Sequence, residues 1–258
     1  MSSDYYTQVA RGDVPGQSLV HKFGRNASVG TTLVPICDGG FYRTPKTDAT
    51  VTLALISDDA NDTAAGTGAR EITLNYLTSA GVETTATIAT NGTTESTGTV
   101  TGVWRLLRAW VSASGSYATQ SVGSQNGTIT IRVSGAGATW ATIPEVGTTG
   151  FAVAQSLIGA YTIPAGKTGY ILSNTYTVES NKTGTCYLFA RSGADELVSP
   201  YSALRLKNIY SGLANATHIP HKSYEKYTEM TDMIVMGTVS TTGIVSAEFE
   251  LLLIDNPT

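Results

Sequence analysis

The apolar positions along this chain recur mostly with period two, in short runs broken by turn residues. Thr50 to Ile56 is a continuous β-branched run, and Glu71 to Leu77, Glu83 to Ala89 and Thr128 to Val133 alternate. Alternation at this spacing places one face of a strand inward and the other outward. Asn91-Gly92 and Asn126-Gly127 carry hairpin-turn chemistry, because both residue types tolerate positive φ. Further strands are read at Thr168 to Val178, Thr185 to Arg191, Ile234 to Val239 and Ile244 to Ile254, with Pro164-Ala165-Gly166-Lys167 as a turn before the first of them. Val103 to Val111 is ambiguous. Its arginines lie three apart as on an amphipathic helix, but no cap frames it and its neighbours are strands, so a buried strand is expected.

Many short strands without helices between them predict an all-β chain of two antiparallel β-sandwich or jelly-roll-like domains. Residues 1–27 hold turn residues such as Gly12, Pro15 and Gly16 and few core-sized side chains, so an extended N-terminal arm is expected there. The first β domain is expected over residues 28–149 and the second over 150–258. Ser134 to Thr149, built of Gly, Ala, Thr and Ser with one Trp, reads as the linker.

Composition narrows the class. The chain has 258 residues, 41% hydrophobic and only 14% charged, with net charge −4. Normal apolar content with so little charge excludes a disordered chain, and a sequence pI near 5.4 excludes a basic nucleic-acid surface. No apolar run is long enough for a membrane-spanning helix, and the first residues do not read as a signal peptide. Cys37 and Cys186, far apart in sequence, are expected to be free, buried thiols; a disulfide between them has no spacing to support it.

Candidate chemistry is sparse. Asp58, Asp59, Asn61 and Asp62 put hard oxygen ligands on one loop, as a calcium site needs, but without EF-hand spacing; a solvated turn is the ordinary reading. His218 and His221 form an H-x-x-H with no third ligand near, and Asp195-Glu196 is an isolated acidic pair. No nucleophile elbow or P-loop occurs, so neither an enzyme nor a cofactor is expected. Arg11-Gly12-Asp13 and the sequons at Asn26, Asn61, Asn91, Asn126, Asn181 and Asn215 are ordinary in a Thr-rich chain. Tyr201, Tyr210, Tyr224 and Tyr227 gather with His218, His221 and Lys222 within 200–230, either as an exposed recognition loop or as a crossover packed on its own sandwich.

Several longer motifs carry a resemblance. Arg11-Gly12-Asp13-Val14-Pro15-Gly16, then Val20 to Asn26, the loop Asn61 to Arg70, and Asn91-Gly92-Thr93-Thr94 resemble a family of tailed-bacteriophage virion structural proteins of marine and freshwater phages. Tyr161 to Thr168, Thr231-Asp232-Met233-Ile234 and Phe249 to Leu253 resemble its second half. The resemblance implies a virion location and a structural role without an active site.

The expectation that follows is a capsid-surface decoration (cement) protein. It would be a homotrimer that contacts the major capsid protein or other virion proteins and bridges capsomers. Arg11, Val14, Phe23 and Arg25 of the arm would be its anchoring residues. The alternative is a neck, tail or fibre-base component whose Tyr201–Tyr227 region meets a host surface glycan. A carbohydrate-binding β-sandwich outside a virion is the third reading.

Overall fold

The computed structural model describes residues 4–40, 42, 50–119, 122–145, 152–221 and 223–257. A short helix α1 (Tyr5–Ala10) precedes β1 (Gln17–Val29) and β2 (Val34–Pro35). Then come β3 (Val51–Ser57), β4 (Ala69–Leu77), β5 (Glu83–Ala89), β6 (Val100–Val103), β7 (Arg105–Ser114), β8 (Ile129–Val133) and β9 (Thr139–Ile143). The remaining strands are β10 (Ala160–Thr162), β11 (Lys167–Val178), β12 (Gly184–Arg191), β13 (Arg205–Leu213), β14 (Asn215–Pro220), β15 (Lys226–Tyr227), β16 (Asp232–Val239) and β17 (Gly243–Asp255). The chain is all-β with antiparallel sheets, as its periodicity predicts.

The strands group into two compact units. Unit 1 comprises Met1–Ile36, Gly159–Glu196 and Pro200–Thr258; unit 2 comprises Cys37–Ile158 and Leu197–Ser199. This grouping differs from the expected ranges of 28–149 and 150–258, and it corrects the reading of residues 1–27 as an extended arm. β1 pairs along most of its length with β17, from Gln17 opposite Ile254 to Val29 opposite Gly243, so the chain's beginning belongs with its end. The expected boundary at residues 149 and 150 lies outside the described residues.

Unit 1 is a jelly roll. One sheet has the order β1-β17-β11-β14, and the other β10-β16-β12-β13. The pairing is nested: β1 with β17, β10 with β16, β11 with β14 and β12 with β13. A hairpin ribbon folded over on itself gives this two-sheet arrangement. β2 pairs with Met236 and Gly237 of β16, in line with β10, which pairs with residues 232–234. The two short strands form one strand interrupted after Ile36 and resumed at Gly159, and residues 37–158 enter the chain at that break.

The core follows the pleat. Val245, Ala247, Phe249, Leu251 and Leu253 of β17 face inward, as do Cys186 and Leu188 of β12 and Met233, Val235 and Val239 of β16. Gly24 sits where β1 passes the interrupted strand. A Cβ there would meet the Ile36 carbonyl oxygen at 1.9 Å and the Gly159 nitrogen at 2.2 Å, so only glycine allows the approach.

Unit 2 has a four-stranded sheet, β6-β3-β8-β9, and a three-stranded sheet, β5-β4-β7. The ambiguous stretch is strand: β6 ends at Val103 and β7 starts at Arg105, with Trp104 between them. Arg105 is buried, its guanidinium 4.0 Å from the centre of the Trp104 ring. β9 lies inside the segment expected to be a linker, and Gly135 and Ala136 turn it back onto β8 with positive φ. Cys37 and Cys186 are buried and form no disulfide among the described residues, and burial pushes the Cys186 thiol up to about 12.

Candidate functional site

The carboxylates of the 57–68 loop are committed to the protein's own donors. Asp62 is fully buried. Its Oδ1 accepts from the Ala69 amide at 2.7 Å and the Asn126 amide at 3.0 Å; its Oδ2 accepts from the Ser57 hydroxyl at 2.7 Å and the Gly127 amide at 2.9 Å. Asp58 accepts from the Thr128 amide, and Asp59 from the amide of Asn61. Neither Asn-Gly pair therefore closes a hairpin, which corrects that expectation. Asn91-Gly92 links β5 to β6 of the other sheet, with the Gly92 amide on the Asp62 carbonyl, and Asn126-Gly127 caps the Asp62 carboxylate. A Cβ on Gly68 would lie 2.1 Å from Asp62 Oδ1, which explains that glycine. Among the described residues, no group of three or more His, Cys, Asp or Glu side chains is placed to hold a metal ion.

The four tyrosines do not form one loop. Tyr227 is buried in β15 and its hydroxyl donates to Glu225 at 2.8 Å; burial first, then that bond, raises its pKa. Tyr210, in β13, packs on Tyr176 with ring centres 5.3 Å apart. Tyr201 is exposed. Tyr224 lines a cavity. Lys222 lies outside the described residues.

The N-terminal candidates also separate. Arg11 forms an exposed ion pair with Asp13 at 3.2 Å, and Val14 is half-buried. Phe23 and Arg25 lie half-buried on the outer face of β1, with Phe23 stacked on His21 at 5.5 Å. These two are sheet residues rather than parts of a free anchor.

The outer face of the β1-β17-β11-β14 sheet carries a cleft of about 510 Å³ that brings together all three histidines of the chain. β1 contributes Leu19, Val20 and His21; β14 contributes His218 and Pro220, two apart and on one face. A register shift in β11 between Ile171 and Ser173 makes Leu172 the extra residue of a bulge, and both Leu172 and Ser173 line the cleft. The Leu172 carbonyl accepts from the His221 amide, which fixes where β14 leaves the sheet.

Polar groups within the cleft are partly engaged. Ser173 donates to Glu250 Oε2 at 2.9 Å, and His21 Nε2 lies 3.2 Å from Glu248 Oε2. His218 Nδ1 is 3.0 Å from the Thr175 hydroxyl, and His221 Nε2 is 2.6 Å from Asn174 Nδ2. Burial lowers the pKa of His221. At the rim the Tyr6 hydroxyl donates to that of Tyr224 at 2.9 Å, and this bond first, with burial, raises Tyr6 to about 12. Periodicity reveals none of this: His21 and His218 line one cleft only because β1 and β14 are edges of the same sheet.

A second feature is an apolar edge. β13 ends the β10-β16-β12-β13 sheet, and its bulge at Lys207 puts both Leu206, opposite Phe189, and Ile209, opposite Tyr187, on the outer face. Across that face exposure rises from 5% at Ile234 to 47% at Leu206 and 53% at Ile209, and Leu204 beside them is 49% exposed.

No protein-family model matches the chain, and no curated protein does. Among solved structures the chain is similar to that of the infectious bursal disease virus Gt strain, with TM-score 0.26 and 8% identity over 93% of this chain and 71% of that one. It is likewise similar to T=1 particles derived from infectious bursal virus, with TM-score 0.26 and 11% identity over 97% and 75%. Both matches are to viral particles, but such low scores carry no argument about this chain.

Proposed function

We propose that this chain is a non-catalytic structural component of a virion: a capsid-surface decoration protein that self-associates, as a homotrimer, and bridges capsomers. The observation that carries the reading is the open β13 edge. Three half-exposed aliphatic side chains at the end of a sheet are a hazard for a monomer and an asset for an assembled one. Burying what remains exposed of Leu204, Leu206 and Ile209 on a second copy contributes roughly 2–4 kcal/mol per edge. The rest of such an interface comes from the strand's unpaired backbone groups. Two further facts support the reading. The jelly roll is an architecture of viral capsid and lectin domains, an analogy at the level of fold. The motif resemblance to phage virion proteins points the same way.

The test is the mass of the chain in solution with and without Leu206→Glu and Ile209→Lys. An oligomer that dissociates in either variant while the circular dichroism spectrum is retained supports the reading. A wild-type monomer at micromolar concentration contradicts it.

The cleft with Tyr6 and Tyr224 at its rim favours a second reading, a neck, tail or fibre-base component that contacts the host surface. Copy number separates the two: hundreds per virion for decoration, a dozen or fewer for a tail part.

A further inference from the structure

We propose that the cleft on the outer face of the β1-β17-β11-β14 sheet binds a neutral saccharide residue. This deepens the second reading above by naming the site and the ligand class, and it does not depend on the oligomer.

The first argument is convergence. Segments of α1, β1, β11, β14 and β17, with the loop that carries Tyr224, close around one concavity of about 510 Å³. That volume falls within the roughly 300–1,000 Å³ typical of small-molecule sites. Every lining residue belongs to unit 1, so the cleft is complete within one folded body.

The second argument is the character of the lining. Leu19, Leu172 and Pro220 give an apolar surface, and the rings of Tyr6 and Tyr224 stand at the rim, with Tyr224 51% exposed. Against these stand a carboxylate, a hydroxyl and imidazoles. A sugar ring has the same two-sided chemistry: C–H patches that pack on aromatic and aliphatic groups, and hydroxyls that each donate and accept.

The third argument is which polar atoms remain for a ligand. Glu250 Oε2 is occupied by Ser173, while Oε1 has no protein partner among the described residues. His218 uses Nδ1 on Thr175, while Nε2 has none among the described residues. An acceptor and a ring nitrogen in the lining of one cavity are thus left for the hydroxyls of a ligand. A wholly apolar ligand would bury Glu250 Oε1 and His218 Nε2 without a partner for either atom, at a cost of about 1–3 kcal/mol per neutral group and more for a charge. An anionic ligand would be repelled by the Glu250 carboxylate in the lining. A neutral polyhydroxylated ring meets neither penalty.

The experiment uses the full chain on an array of neutral and anionic bacterial-surface oligosaccharides, followed by calorimetric titration with the tightest neutral one. The proposal expects retention of a neutral saccharide. It further expects Tyr224→Ala and Glu250→Gln each to weaken binding tenfold or more, with the melting temperature and the mass in solution unchanged. Tyr201→Ala, outside the cleft, should bind as the wild type does. Retention of no neutral saccharide overturns the proposal. So does a preference for anionic ones alone, or binding that survives both cleft substitutions. Loss of self-association in the β13 variants with saccharide binding intact would overturn neither the cleft nor its ligand, so the two readings fail separately.

Discussion

Replacing Asp62 with alanine removes the acceptor for four donors at once: the Ser57 hydroxyl and the amides of Ala69, Asn126 and Gly127. Each bond to a charged acceptor is worth about 1.5–3 kcal/mol net. A simple sum overshoots, because the serine hydroxyl can turn elsewhere and one water can enter the space the carboxylate leaves. Two amides then remain unsatisfied in a buried site, at about 1–3 kcal/mol each, for a loss of roughly 3–5 kcal/mol. That is a large share of the about 5–15 kcal/mol that holds a domain together. For a unit of this size it corresponds to a fall in melting temperature of roughly 10–20 °C. The assay is calorimetry of Asp62→Ala beside Asp59→Ala, whose carboxylate accepts from the exposed amide of Asn61 and whose loss should cost under about 1 kcal/mol. A melting temperature for Asp62→Ala within about 3 °C of wild type would refute the bracing role. The same scan tests the loop for metal: EDTA or millimolar Ca²⁺ should leave the wild-type midpoint where it is, since a bound ion would raise it by mass action.

Glu95 is held down to about 2, first by the amide of Gly135 and then by Ala136, Arg132 and Ser134. Its folded pKa lies below its unfolded one, so its contribution is present above the ordinary carboxylate range and is lost as pH falls toward 2. Glu95→Gln should therefore flatten the acid limb of stability between about pH 4.5 and 2 in urea titrations at stepped pH. Tyr176 is buried with no hydrogen-bond partner for its hydroxyl among the described residues. Tyr176→Phe should leave stability unchanged or raise it by about 1 kcal/mol, read from the urea midpoint. Gly24→Ala should lower the melting temperature of the chain markedly, because the added Cβ meets backbone at 1.9 and 2.2 Å rather than a side chain that can move.

The strands were legible in the sequence because period-two alternation survives wherever one face is buried. β3, β4, β5, β8, β11, β12, β16 and β17 all fall where the pattern places them. β1 was not legible. Before the buried Val29 at its end, its inward residues are Lys22, Gly24 and Asn26, which carry no apolar signal, and its strand character comes from its partner β17 more than two hundred residues away. The same distance hid the unit boundaries, since the interrupted strand formed by β2 and β10 is joined only through β16. The Asn-Gly pairs mark breaks between strands but not hairpins: the Gly92 amide donates to the Asp62 carbonyl, and the Asn126 and Gly127 amides to its carboxylate. Of the tyrosines singled out, Tyr224 reached the cleft. Tyr210 and Tyr227 were drawn into packing by Tyr176 and Glu225. The histidine cluster was half visible as H-x-x-H; its third member, His21, joined through sheet topology alone.

The central claim, a structural virion component, is tested most directly by stoichiometry: this chain quantified against the major capsid protein in purified virions of the virus that the proposal implies. The account predicts a ratio near one or one-third. Absence of the chain from purified virions would contradict the account outright, and a ratio of a few per cent would contradict decoration and move the chain to the neck or tail.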